Sequence, residues 1–68
     1  MSWAPVLVGG DRRMYIGPEG DFVELPQEAE RFTAREDAVQ RAIEARDGER
    51  SRQHDAEWIL SVDAEEID

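Results

Sequence analysis

The chain has 68 residues, no cysteine and a net charge of −9, with 17 acidic residues against eight basic ones. That length allows one domain with a small core, typically worth ~3–5 kcal/mol, and the missing cysteines exclude disulfides and thiolate metal sites. No apolar run approaches the ~20 residues of a membrane helix, and no basic segment leads into an apolar one at the start, so we expect a cytoplasmic protein.

The charge is unevenly placed. Glu19, Asp21, Glu24, Glu28 and Glu30 fall within residues 17–30 without a cation, and Asp55, Glu57, Asp63, Glu65, Glu66 and Asp68 fall within 55–68, again without one. Every basic side chain is arginine; lysine and asparagine are absent, which fits a GC-rich coding bias. Arginine is also the better bidentate partner for carboxylates, so internal pairing would leave the surface less acidic than the count implies.

In chain order, Pro5-Val6-Leu7-Val8 reads as a strand, Met14-Tyr15-Ile16 as a second and Asp21–Leu25 as a third. A two-residue Gly10-Asp11 turn suits a tight hairpin, because glycine tolerates φ > 0. It sets Val8 opposite Arg13, Leu7 opposite Met14 and Val6 opposite Tyr15. A four-residue Gly17-Pro18-Glu19-Gly20 loop sets Tyr15 opposite Phe22, Met14 opposite Val23 and Arg13 opposite Glu24. This register leaves Val6, Val8, Tyr15 and Phe22 on one face, and Leu7, Met14, Ile16, Val23 and Leu25 on the other.

A helix follows. Thr33 and Glu36 have capping-box spacing, Glu36 and Asp37 suit the positive end of the helix dipole, and Ala38, Val39, Ala42 and Ile43 form a narrow apolar stripe. Asp37 and Arg41 are spaced to pair, and Gly48 is a natural stop. Residues 48–56 read as a loop, Glu57–Val62 as a last strand with Trp58, Leu60 and Val62 inward, and 63–68 as an acidic tail. The predicted fold is therefore α+β: residues 1–62 form one domain of order β-β-β-α-β, a single helix on one face of a three- to four-stranded, mainly antiparallel sheet.

Constellations for catalysis are missing. His54 is the only histidine and falls in the predicted loop, so neither a catalytic triad nor a zinc site can be assembled. Gly17–Gly20 lacks the lysine and following helix of a phosphate loop. The carboxylates at 63–68 lack the ligand pattern of a calcium loop. We expect no enzyme activity, no metal and no cofactor. Direct nucleic-acid binding is also disfavoured, since phosphate affinity comes from cations. Conversely, duplex DNA carries one charge per ~1.7 Å of axis, and a small body with two acidic runs can resemble it electrostatically; acidic surface often serves solubility alone, but the concentration of charge in segments favours interaction. Tyr15 and Phe22, on the face away from the helix, are candidate contact aromatics unless Trp3 or the tail folds over them.

The segments Met14–Pro18, Phe22–Leu25, Arg31-Phe32-Thr33, Arg35-Glu36, Ala38 and Glu57–Leu60 resemble small proteins of phage accessory genes. With the length and acidity, the chain is similar to the phage-encoded anti-CRISPR proteins, particularly those directed at type I-C systems. The resemblance spans nearly the whole chain through structural motifs, and matches no signature residue of inhibition. It implies binding to a Cascade-type effector, in the host bacterial cytoplasm, at the basic surface that receives target DNA, so that the monomer acts as a DNA mimic. The expected contacts are Glu19, Asp21, Glu24, Glu28 and Glu30 in one run, Asp55, Glu57, Asp63, Glu65 and Glu66 in the other, and Tyr15 or Phe22 as a desolvated anchor. The alternative is an accessory module that binds a protein through its open sheet face, without mimicry.

Overall fold

The computed structural model describes residues 1–51 and 57–67. Four strands, β1 (Ser2–Gly9), β2 (Arg12–Ile16), β3 (Phe22–Val23) and β4 (Ser61–Ile67), form an antiparallel sheet in the order β3-β2-β1-β4, with one helix, α1 (Arg35–Ser51), packed on one face. This is the α+β arrangement expected from the sequence. No described helix is long and apolar enough to cross a membrane.

β1 is the central strand, and its run Ala4-Pro5-Val6-Leu7 is buried throughout because both faces are covered. Leu7 and Ile16 pack with Ala42 of α1 and Ile59, with Phe22, Ala45, Trp58 and Val62 around them. Ala38 and Ala42 are fully buried, and such small side chains let the helix lie close on β1 and β4. Across the sheet, Ala4, Val6 and Tyr15 pack under Ala29, beside Val8, Val23 and Ile67. Ala29 belongs to the 24–32 connection, which includes a short 3₁₀ turn at Pro26–Glu28. That connection covers the second face, in place of Trp3 or the C-terminal residues.

A proline in a central strand needs an explanation, since it cannot donate to the ladder. Trp3 exchanges both backbone hydrogen bonds with Phe32 at 2.8 and 2.9 Å. By the alternation of antiparallel pairs, Pro5 then aims its nitrogen at the Ile16 carbonyl. With no N–H there, that carbonyl accepts from Glu30 N–H instead, at 2.8 Å. Pro5 thus opens the place where the covering connection is sewn to the sheet.

The β1–β2 register is the expected one: Val6 opposite Tyr15, Leu7 opposite Met14 and Val8 opposite Arg13, closed by Gly10 at φ +58°. The β2–β3 register is shifted by one residue, with Tyr15 opposite Val23 and Ile16 opposite Phe22. Gly17 N–H donates to Asp21 C=O at 2.8 Å, so the loop holds three residues rather than four, and Gly20 at φ +85° supplies its left-handed position. A one-residue slip exchanges faces. Phe22 therefore lies on the helix face, Val23 beside Tyr15, and Glu24 away from Arg13.

Three further expectations are corrected. The helix begins at Arg35, two residues past Thr33, so the Thr33–Glu36 box is not its cap, and it runs through Gly48 to Ser51. Interior helical glycine costs about 1 kcal/mol relative to alanine, which α1 bears without stopping. The last strand is Ser61–Ile67, so Glu57 and Trp58 form a turn, Leu60 is exposed, and 63–67 is sheet and not a tail. Arg41 pairs with Glu30 at 3.3 Å, not with Asp37. Of the predicted 48–56 loop, His54 and Asp55 lie outside the described residues.

Candidate functional site

The candidate carboxylates divide by whether an arginine reaches them. Glu30 is held by Arg41 at 3.3 Å, at the junction where its amide joins Ile16. Asp63 accepts from Arg35 at 2.8 Å and also from the amide of Ala64 at 2.8 Å. Glu65 accepts from Arg13 through Oε1 at 3.1 Å and from the Tyr15 hydroxyl through Oε2 at 2.9 Å. These three side chains are ties within the fold. The arginines come from β2 and α1, far along the chain from their partners, so no local pattern announces the pairs.

Glu19, Asp21, Glu24 and Glu28 are exposed, and none makes an ion pair or side-chain hydrogen bond among the described residues. They follow one another along the β2–β3 loop, the end of β3 and the 3₁₀ turn. The backbone beneath them is fixed. Glu28 N–H donates to Leu25 C=O and Ala29 N–H to Pro26 C=O, each at 3.1 Å, and buried Ala29 anchors the end. Leu25 is half exposed among these acids, a large apolar side chain at the surface that sequence periodicity assigned to the core.

Glu57 and Glu66 are also exposed without such contacts, while Asp55 lies outside the described residues. The two acidic runs do not share a sheet edge. β3 and β4 are opposite edges, with two strands between them, about 14 Å apart at ordinary strand spacing. Within the second run, Arg13 and Arg35 neutralise Glu65 and Asp63, which leaves Glu57 and Glu66 unpaired among the described residues.

Neither aromatic candidate stands free as an anchor. Tyr15 is 6% exposed, and Phe22 is half-buried against the helix-side core. Burial pushes the Tyr15 phenol above its ordinary value; its bond to the Glu65 carboxylate adds to this, and Arg13 pulls the other way. Among the described residues, no group of three or more histidine or acidic side chains is placed to hold a metal ion. Comparison with family models, with curated proteins and with solved structures gives no match to this chain.

Proposed function

We propose that this protein is a small inhibitory binding module that sets its 19–28 acidic segment against a basic protein surface built to receive nucleic acid. It acts by occupancy, without catalysis or a cofactor, as a monomer in the host bacterial cytoplasm. The sequence resemblance to phage anti-CRISPR proteins makes a Cascade-type CRISPR-Cas effector the first partner to test, with target DNA binding blocked by mimicry of DNA. The observation that carries this reading is the set of four exposed, arginine-free carboxylates, Glu19, Asp21, Glu24 and Glu28, on a fixed stretch of backbone. Charge held on a rigid frame favours fast encounter and orientation with a cationic groove.

The test reverses Glu24 and Glu28 to lysine and measures binding to purified type I-C effector, and displacement of its target DNA, across a salt series. Loss of both with the fold intact, together with wild-type affinity that falls as ionic strength rises, supports the reading. Unchanged binding by the double variant contradicts it and points to a module that docks through another face.

A further inference from the structure

The apolar stripe of α1 is wider than the sheet beneath it. Of Ala38, Val39, Ala42 and Ile43, the two alanines are fully buried, whereas the two larger side chains are only half-buried. Two contacts fix which way they face. On one flank of the helix, Arg41 reaches Glu30 at 3.3 Å and borders Gly20 of the β2–β3 loop. On the other, Arg35 crosses to Asp63 of β4 at 2.8 Å. Val39 and Ile43 follow Arg35 at helical spacing, so they lie on the β4 side of the helix, above the sheet's edge.

Among the described residues, no strand pairs with β4 on the side away from β1. By the alternation of antiparallel pairs, Val62, Ala64 and Glu66 turn their backbone groups to that side. At seven residues, β4 is long for an exposed edge. The Ala64 amide is met by the Asp63 carboxylate at 2.8 Å, a side-chain bond that the carbonyl of an added strand can replace. The edge thus offers a backbone ladder with an apolar helix flank standing over it.

We propose that the outer edge of β4, with Val39 and Ile43 above it, receives an extended segment of a partner protein that joins the sheet as a fifth strand. Alternate side chains of such a segment face opposite ways, and each side meets a different chemistry. Toward α1 they meet Val39 and Ile43, which calls for apolar residues. On the other side they run beside Asp63 and Glu65, which calls for basic ones. Asp63, Glu65 and Glu66 outnumber the arginines that reach them, Arg13 and Arg35, and an incoming strand frees Asp63 from the Ala64 amide to accept from a cation. A second copy fits less well, because antiparallel pairing of β4 with itself sets these acids against one another. The inference rests on the proposed function only in taking the partner to be basic.

The experiment titrates the full-length protein with a short synthetic peptide of alternating valine and arginine, and follows amide resonances and amide hydrogen exchange. A peptide of the same composition with its arginines grouped together controls for bulk charge. The alternating peptide should give saturable shifts at Val39, Ile43 and Val62, and slow exchange at the outward amides of Val62 and Glu66. The grouped peptide should leave that exchange unchanged. Ile43→Gln should weaken binding of the alternating peptide several-fold. Should that variant fold poorly, the wild type decides with an alternating peptide N-methylated at every second residue on its ladder edge, which should not bind. Equal protection by both compositions, binding that survives methylation, no response, or shifts that centre on Glu24 and Glu28 would overturn the assignment. Protection of the same amides in the protein alone at rising concentration would give the edge to a second copy and overturn it too. Effector binding that depends on Glu24 and Glu28 while the peptide fails sinks the strand site alone. Peptide protection at β4 with no effector binding by the wild type sinks the proposed function alone.

Discussion

The Tyr15 hydroxyl donates to Glu65 Oε2 at 2.9 Å, joining β2 to β4 across the central strand between them. Tyr15 stands opposite Val6 and Glu65 opposite Ala4, so both side chains lie on the second face, above the strand they bridge. Arg13 takes the other oxygen at 3.1 Å. β4 is an edge strand, and this contact fastens it from the side away from the helix. Two residues suited by type to a docking surface are thereby committed to the sheet.

That bond gives stability an alkaline limit. The Tyr15 phenol titrates above its ordinary value in the folded protein, so its contribution is fully present below the unfolded-state value of about 10 and is lost as pH rises through the folded value. The chain contains one tyrosine and no cysteine or lysine, so few other groups obscure the window. Urea midpoints should hold between pH 8 and 9 and fall above about pH 10. Tyr15→Phe should lose about 1 kcal/mol at neutral pH and flatten the alkaline decline. A wild-type decline unchanged in Tyr15→Phe would show that another group causes it.

Gly9 and Trp58 define a second tie. A Cβ on Gly9 would run into the Trp58 carbonyl oxygen, a backbone atom that cannot swing away. Gly9→Ala must therefore push apart the end of β1 and the turn leading into β4. We expect a loss of about 3 kcal/mol, close to the whole stability of so small a domain. Gly10→Ala is the control: none of the described residues crowds that position, and its cost is the left-handed φ of +58°, about 1 kcal/mol. Thermal melts of the two variants should differ clearly, and equal losses would contradict the close approach.

What the sequence disclosed and what it concealed follow from the range of the interactions. Gly10-Asp11 is a local signal with one solution, and the β1–β2 register follows from it. The second hairpin hung on whether Gly20 closes a loop of three residues or four, and that single residue moved Phe22 to the other face. β4 was hidden for a different reason. Its helix-side positions, Val62 and Ala64, alternate with Asp63 and Glu65, which read as a solvated tail until Arg35 and Arg13 arrive to pair with them. Those arginines lie 28 and 52 residues away in the chain. The two acidic runs could be read from composition; the pairing of Glu30, Asp63 and Glu65 with arginines needed the fold.

Asp63 also guards the sheet's edge. The β1–β4 register and the direction of the β1 bonds turn the Ala64 N–H outward, away from β1. The Asp63 carboxylate takes that amide at 2.8 Å and draws Arg35 over the same point. Free outward amides on an edge strand invite pairing with a second chain. Asp63→Ala should therefore increase self-association, visible by sedimentation at rising concentration, while costing about 1 kcal/mol or less because the ion pair is exposed. A variant that stays monomeric at the highest concentrations would show that the remaining edge charges suffice.

The division of the carboxylates into ties and free groups makes a stability prediction that needs no partner. Glu65→Lys would set a cation against Arg13 and leave the Tyr15 hydroxyl without its acceptor. We expect a loss of about 2 kcal/mol, less than for a fully buried pair because solvent screens the site. Glu24→Lys and Glu28→Lys touch no described partner, so each should stay within about 0.5 kcal/mol of the wild type. Each also lowers the self-repulsion of a chain with net charge −9, which acts toward a small gain. Urea denaturation of the three variants at low salt measures the contrast. A destabilising Glu24 or Glu28 reversal would show that these acids, too, are structural. Neutral reversals would mark Glu24 and Glu28 as carboxylates that the fold does not use, and those are the ones whose loss a partner should feel.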